Sequence, residues 1–408
     1  MNQELEEGRY YKNANQITQI IVAFVIFMCF FAMTPVGFTL YSKYALPVGL
    51  ALLIIVFLIS GNVVHMNKGD FFYIIFLISY YLFTLPLTGG GIGSIFPPVM
   101  TVLWIQIMGR CRLTNLLIRY ITKIFCLLFA VSLIRCPDYF LKWTVRGETG
   151  MNPNTLAVLI VLSSSFILIF NQSNRVYKKY HLLIPQILLT CWGILNCKSR
   201  ASLLMFITFL TFKYLMPKRM RKKRKVACFI CYSCIAIGLL FPMFYVYLNQ
   251  FSDSIKIPFI NTLFSEKSLF SGRERIWNNI FMELSKKNYS WIIGIGSKAD
   301  IRTVGAEINP HNAYMMVLMD FGFLGVVAYY SFYIFYIKKI YGRGKLFIEQ
   351  IDLIYLGLSF FILSFFETVL LWHPFVIITG FIWGISQGYN RNGYEKLQVK
   401  DISYYEGR

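Results

Sequence analysis

Residues 217–241 read PKRMRKKRKVACFICYSCIAIGLLF. A dense basic run is followed directly by an apolar run that continues to residue 247 without a charged side chain. An apolar run of about 20 residues is long enough to cross the hydrocarbon core of a bilayer as a helix. Lysine and arginine beside such a run mark its cytoplasmic end. This stretch therefore predicts a membrane-spanning helix that begins at the cytoplasmic surface.

The same pattern recurs along the chain of 408 residues, of which 57% are hydrophobic and only 14% charged. Twelve apolar runs are candidate spans: 17–40, 45–64, 71–87, 95–108, 117–134, 154–170, 182–196, 201–216, 226–247, 312–337, 351–371 and 375–389. Twelve spans would use ~240 residues, which is close to the apolar content. The sequence therefore predicts an all-α polytopic membrane protein with about 12 transmembrane helices in a single integral membrane domain, 1–408. A cytosolic enzyme, a secreted disulfide scaffold and a large exposed β-sheet are excluded.

The distribution of basic residues predicts the orientation. Lysine and arginine concentrate in the N-terminal segment, in alternate short loops and in the C-terminal segment, so both termini are expected in the cytoplasm. One long extracytoplasmic loop, 248–310, then lies between the ninth and tenth spans, because loops of that length translocate regardless of their charge. This topology accounts for the net charge of +21, and no nucleic acid is expected as a partner.

The cysteines predict no metal site. Cys228, Cys231 and Cys234 have the spacing of a ligand row, but no charged or histidine side chain lies near them in their apolar run. A thiolate would be poorly solvated there, so ordinary packing is expected. Cys136 and Cys197 fall near segment ends on one predicted face, and the sequence leaves open whether they pair.

Candidate chemistry gathers at the outer surface. Arg200 lies in the polar link KSRAS, Arg273 and Arg275 lie in SGRERIW of the long loop, and His311 opens the tenth span. Guanidinium groups hold phosphate oxygens through charge-assisted hydrogen bonds, and a neutral imidazole accepts a proton from a hydroxyl near pH 7. These residues are coherent with a site for a lipid-linked phosphate and a hydroxyl.

A structural interpretation of the same residues stays open. A histidine at a helix start is often structural, and Arg273 and Arg275 could be solvated and pair with Glu274 or Glu266. Two acids lie within apolar runs, Asp320 and Glu367. Carboxylates in a membrane indicate either a functional group or a cap or ion pair between helices, and a proton-coupled transporter would also need them.

Short motifs in a fixed order resemble those of the bacterial O-antigen ligase and Wzy-type polysaccharide polymerase superfamily. The motifs are KSRAS, SGRERIW, GIGS, NPHNAY and DFGFLG, preceded by NPNTLA. The residues that match are Arg200, Arg273 with Trp277, Gly294, Gly296, His311, Asn312, Asp320, Gly322, Gly325 and Asn154. The resemblance covers about residues 150–340. Arg275 lies only two residues from Trp277, so the choice between Arg273 and Arg275 stays open.

The resemblance implies a type C glycosyltransferase-like helical fold that transfers a glycan from an undecaprenyl-pyrophosphate donor, without a metal or another cofactor. His311 would be the general base, and Arg200, Arg273 and Arg275 would hold the pyrophosphate. Asn312, Asp320, Gly294, Gly296, Trp277 and Asn154 would support them. The lack of a carboxylate in the first outer link, YSKYA, departs from membrane glycosyltransferases that use a metal there.

The acceptor distinguishes the candidate functions. A polymerase would use a hydroxyl of the next lipid-linked repeat unit, and this is the function we expect. An O-antigen ligase would use a lipid A-core or other acceptor, and a flippase for the same lipid-linked oligosaccharide would need no base. The expected location is the bacterial cytoplasmic membrane. Expected partners are the lipid-linked donor and acceptor, membrane lipid, and chain-length regulator and flippase proteins.

Overall fold

A computed structural model describes the chain over residues 20–28, 30–31, 34–37, 51, 68–88, 96–109, 115–144, 151–174, 183–249, 273–296, 310–342, 346–368 and 373–388. Throughout these ranges the regular structure is helical and no strand forms. The predicted all-α class is therefore confirmed. The predicted second run, 45–64, lies almost entirely outside the described residues, as do 250–272 and 297–309 of the long loop.

The helices that follow residue 67 are numbered here in chain order. They are α1 (Lys68–Thr88), α2 (Phe96–Met108), α3 (Asn115–Arg135), α4 (Tyr139–Thr144), α5 (Pro153–Asn174), α6 (Leu183–Asn196), α7 (Arg200–Leu210), a π-helix (Thr211–Leu215), α8 (Lys218–Arg221), α9 (Arg224–Asn249), α10 (Arg273–Ser285), α11 (Ser290–Ile293), α12 (Ala313–Tyr341), α13 (Ile348–Leu363) and α14 (His373–Gly388). Within the described ranges, five segments are long and apolar enough to cross a membrane: Gly69–Thr88, Leu117–Arg135, Pro153–Phe170, Arg224–Tyr247 and Ala313–Tyr341.

Helix α5 forms the centre of the bundle. Of the apolar window in this helix, 94% is buried inside the protein. A helix that is apolar on all sides is stable only when other elements surround it, and here α3, α6, α7 and α13 pack around it. Its Phe166 stacks on Phe125 of α3 with ring centroids 4.3 Å apart. Phe381 of α14 packs against Phe166 with ring centroids 5.4 Å apart.

Helices α1 and α9 present apolar side chains outward. Phe72 and Phe83 of α1 are 65% and 69% exposed, and Phe229 of α9 is 70% exposed. Soluble proteins rarely expose contiguous apolar surface of this kind, whereas lipid acyl chains accept it. These faces are consistent with a protein that is surrounded by lipid.

Helix α12 contains a reversal of chain direction at Gly322. This glycine has φ 65° and ψ −169°, a backbone conformation that is essentially restricted to glycine. Tyr314 and Tyr330 stack with ring centroids 4.8 Å apart, although sixteen residues of straight helix would separate them by about 24 Å. The two parts of α12 therefore fold back on each other, with Gly322 at the turn.

Hydrogen bonds made by polar side chains connect several helix ends at the end of the bundle that lies opposite Arg200. Asp70 of α1 accepts a hydrogen bond from Tyr336 Oη at 2.9 Å and another from Gln106 Nε2, and it lies 3.4 Å from Lys339 Nζ. Tyr341 Oη donates to the Arg221 carbonyl at 2.6 Å. The predicted cytoplasmic segments therefore meet at one end of the bundle.

Cys136 and Cys197 meet at the other end as free thiols. Their Sγ atoms lie 3.7 Å apart, and Cys136 Sγ also lies 3.0 Å from the Gly193 carbonyl oxygen. Cys228, Cys231 and Cys234 are buried free thiols on α9, as expected for packing residues.

Replacement of Gly322 by alanine tests the reversal. A Cβ at this position would lie 2.3 Å from the backbone of Ile292, and the positive φ would add strain. We expect the Gly322→Ala protein to lose more than about 2 kcal/mol of stability, measured by thermal unfolding in detergent. Gly69→Ala is the control, because its Cβ would meet only Phe335 at an ordinary 3.5 Å. Equal melting temperatures for both variants would contradict the reversal.

The predicted orientation is testable by accessibility labelling. Lys223 and Lys286 are exposed at opposite ends of the bundle and can each be replaced by cysteine in a background without the nine native cysteines. We expect a membrane-impermeant maleimide to label position 286 in intact cells and position 223 only after permeabilisation. Labelling of both from outside would show that the orientation is wrong.

Candidate active site

Three segments of the chain converge on the carboxylate of Glu367, which follows the C-terminal end of α13. Asn154 Nδ2 donates to Glu367 Oε1 at 2.7 Å. Arg273 Nη2 lies 3.5 Å from the same oxygen, and His311 Nδ1 lies 3.4 Å from Oε2. Glu367 is only 13% exposed, so its negative charge acts with limited screening by water. The carboxylate therefore connects an arginine, a histidine and an asparagine that are distant in the sequence.

The backbone holds His311 in an unusual conformation. Its φ of 50° lies in the left-handed region, which non-glycine residues adopt mainly at turns and functional sites. The carbonyl of the preceding Pro310 accepts a hydrogen bond from Trp277 Nε1 at 2.7 Å. The following Asn312 caps α12, because its Oδ1 accepts from the Met315 amide at 2.8 Å, and its Nδ2 donates to the Phe365 carbonyl at 3.0 Å. Both neighbours of His311 are thus anchored to buried structure.

Arg200 and Arg273 lie at the first positions of α7 and α10, respectively. Burial lowers the pKa of the Arg200 guanidinium, the Tyr245 hydroxyl opposes this shift, and the positive charge of Arg273 lowers the pKa further. The two arginines are therefore close enough to repel each other. Glu367 lies against Arg273, and the charge of Glu274 acts on the same Tyr245 hydroxyl as the two arginines.

The structure distinguishes Arg273 from Arg275. Arg273 and Trp277 are four residues apart and share one face of α10, where Trp277 is fully buried against Phe241 and Tyr245. Arg275 is exposed, and its position is about 200° around the helix from Arg273. Of these two arginines, only Arg273 forms an ion pair with Glu367 among the described residues.

Gly294, Gly296 and Asp320 form a second cluster at the turn of α12. Both glycines have positive φ, 86° and 81°, and the Ile295 amide between them donates to the Met319 carbonyl at 2.8 Å. A Cβ on Gly294 would lie 2.6 Å from the Asp320 backbone. Asp320 is buried, and among the described residues its Oδ1 has no hydrogen-bond partner. These residues support the turn, and Asp320 lies about 13 Å along α12 from His311.

The sequence patterns identified Glu367 only as an acid within an apolar run, and they did not identify Tyr245. The position of Glu367 in that run was the available signal, but its partners could not be predicted. Tyr245 is one of several tyrosines in an apolar run and carries no distinguishing local pattern. Within the described ranges, no group of three or more His, Cys, Asp and Glu side chains is placed to hold a metal ion.

The fold and site define a helical membrane protein with two arginines, a histidine and a carboxylate gathered at one end of the bundle. Residues 186–330 match the family model described as O-antigen ligase, Wzy_C, which confirms the resemblance seen in the motifs. This family implies glycan transfer of the O-antigen ligase or polymerase type from lipid-linked oligosaccharides. No curated protein and no solved structure matches the chain.

The two arginines of α10 provide a matched test of the site. We expect Arg273→Ala to reduce glycan transfer by ~10²–10³, the loss typical of one preorganised charge contact. Arg275→Ala should change the rate by less than about twofold, because the side chain is exposed. Transfer is measured with purified protein in vesicles that contain a lipid-linked donor.

Lysine replacements test the geometry of the arginine contacts. Lysine lacks the planar fork of guanidinium, so Arg200→Lys and Arg273→Lys should both recover little activity. Near-normal transfer by both lysine variants would contradict bidentate anion recognition. Equal losses for Arg273→Ala and Arg275→Ala would contradict the assignment of Arg273 to the site.

Proposed function

We propose that this protein is a polysaccharide polymerase at the outer face of the bacterial cytoplasmic membrane. It transfers a growing glycan from undecaprenyl pyrophosphate to a hydroxyl of the next lipid-linked repeat unit. The observation that supports this proposal is the convergence of His311 and Arg273 on Glu367, with Arg200 close to Arg273. The cluster combines groups for a phosphate anion with a group that accepts a proton.

Arg200 and Arg273 bind the pyrophosphate of the donor. Each guanidinium presents parallel N–H donors that match two phosphate oxygens. A pyrophosphate also relieves the repulsion between the two positive charges. As the bond to the sugar breaks, negative charge grows on the departing phosphate oxygen, and the arginines stabilise that charge.

His311 accepts the proton of the acceptor hydroxyl. When Nδ1 carries the proton and donates it toward Glu367, the lone pair lies on Nε2. The hydroxyl oxygen attacks the anomeric carbon, the bond from that carbon to phosphate breaks with its electron pair, and the hydroxyl proton moves to His311. Glu367 orients the imidazole and stabilises the imidazolium that forms. Direct attack by one acceptor inverts the anomeric centre.

A ligase is the second candidate, because the matching family model is described as O-antigen ligase. Donor binding and proton transfer would be the same in both enzymes, and only the acceptor would differ. Purified protein supplied with lipid-linked repeat units alone distinguishes them: a polymerase forms chains, whereas a ligase requires the added lipid A-core acceptor.

Replacement of the proposed base separates catalysis from transport. We expect His311→Ala to bind donor through the arginines but to transfer glycan ~10²–10⁴ more slowly. Glu367→Gln should cause a loss of similar size, because a glutamine amide donates to Nδ1 and favours the unproductive tautomer. His181→Ala is the control, since the sequence places His181 on the opposite side of the membrane. The measurement is chain length and rate in reconstituted vesicles with donor on the outer face.

The location of the accumulated substrate adds a second measurement. In cells, a His311→Ala enzyme that cannot transfer should leave unpolymerised repeat units on the outer leaflet, whereas loss of a flippase traps them on the inner leaflet. Normal rate and chain length in the His311→Ala protein would refute His311 as the base. Repeat units trapped on the inner leaflet would favour the transporter.

A further inference from the structure

A second polar site lies at the opposite end of the bundle from His311. A cavity of about 560 Å³ opens between the π-helix, α8 and residues 346–352. Arg221 in its lining connects to Tyr341 at the end of α12, so the cavity lies at the end that the sequence predicts to be cytoplasmic. The cavity is separated from Arg200 by the length of α7 and is not part of the proposed active site.

The cavity contains a buried group of charges with excess positive charge. Asp352 accepts hydrogen bonds from Lys213 Nζ and from Arg221 Nη1, and all three residues are at most 6% exposed. Lys218 and Lys222 also line the cavity and are exposed. Four basic side chains and one carboxylate therefore leave a net charge of +3 on the lining.

The buried cations are not fully satisfied by Asp352. Within the described part of the chain, Arg221 Nε is buried and has no hydrogen-bond partner. Burial of charged groups is costly, and apolar residues of similar volume often stabilise a protein equally well. A second buried carboxylate, Glu349, lies three residues before Asp352 on α13 but does not line the cavity. The lining itself therefore has an excess of positive charge, which favours an additional anion.

The π-helix positions this group beside the lipid-facing surface. The Met216 amide donates to the Thr211 carbonyl at 2.9 Å, and this wide turn places Lys213 inside the protein. The next two residues of the cavity lining, Tyr214 and Leu215, are 43% and 76% exposed. A basic cavity that adjoins exposed apolar side chains matches a molecule with an anionic head and an apolar tail.

We propose that this cavity binds a phosphate-bearing anion and that the headgroup of an anionic phospholipid is its source. The phosphate oxygens contact Lys218, Lys222 and the Nε side of the Arg221 guanidinium, while an acyl chain lies along Tyr214 and Leu215. The volume is within the range of small-molecule sites. Anionic lipid is enriched in the cytoplasmic leaflet, where a general polybasic attraction also operates. The test must therefore distinguish binding in this cavity from the general electrostatic attraction of the basic residues 217–225.

Two double variants with the same change of charge make this separation. Lys218→Gln with Lys222→Gln removes the two exposed lysines of the cavity lining. Lys223→Gln with Lys225→Gln removes two exposed lysines of the same basic run that do not line the cavity. All four side chains are exposed, so both proteins should fold as the wild type does.

The measurement is the rise in melting temperature of the full-length protein in detergent as each probe is added, since a ligand that binds the folded state stabilises it. The probes are phosphatidylglycerol, phosphatidylcholine with the same acyl chains, and inorganic phosphate against chloride at equal ionic strength. We expect phosphatidylglycerol to stabilise the wild type and the Lys223/Lys225 variant. Its apparent affinity should fall about tenfold to a hundredfold in the Lys218/Lys222 variant, and phosphatidylcholine should have little effect.

The other outcomes are equally decisive. If inorganic phosphate gives this pattern and phosphatidylglycerol does not, the anion site stands and its ligand is a free phosphate compound. If both double variants lose affinity equally, the polybasic field explains binding and the cavity proposal is overturned. Failure of both phosphatidylglycerol and phosphate to stabilise the wild type also overturns it.

Discussion

The lack of water in a bilayer is the constraint on which the rest of this structure depends. Each backbone amide and carbonyl in the hydrocarbon region must find a partner within the protein, so the spans are helices. Irregular backbone is acceptable only where other protein buries it. His311 and Gly322 are two of the positions at which the described chain departs from helix, and both lie against other segments of the protein. His311 is held between the anchored residues Pro310 and Asn312. The constraint thus limits where a reactive side chain can be placed.

Charged side chains are restricted in the same way, because the hydrocarbon region solvates them poorly. The polar clusters lie at opposite ends of the bundle, with Glu367 beyond one end of α13 and Asp352 near the other. Each cluster contains a buried or half-buried carboxylate and at least two cations: Arg200 and Arg273 near Glu367, and Lys213 and Arg221 at Asp352. A phosphate-bearing molecule can neutralise this charge with little competition from bulk water. The proposed donor site and the proposed lipid site therefore share one electrostatic principle, although they face different surfaces.

Part of the candidate site could be predicted from local sequence patterns, and part could not. Arg200, Arg273 and His311 occur in short polar motifs beside apolar runs, so hydropathy places them at span ends. The choice between Arg273 and Arg275 was open in the sequence, and the structure makes it because Arg273 pairs with Glu367 whereas Arg275 is exposed. Glu367 is different, since its contacts reach His311 and Asn154, which are 56 and 213 residues away. No local period links residues at such separations.

The sequence by itself determined the helical class and the apolar segments suited to a membrane, and it predicts which basic residues lie at each surface. Those properties depend on the hydrophobicity and charge of continuous segments, which can be read locally. Tertiary structure alone decided that α12 turns back at Gly322, that Glu367 joins Arg273 to His311, and that Asp352 collects two buried cations. These features arise from packing between distant segments, and Coulomb energies vary with the distances that packing creates. The chemistry was therefore present in the sequence as separate groups, and the fold assembled them into sites.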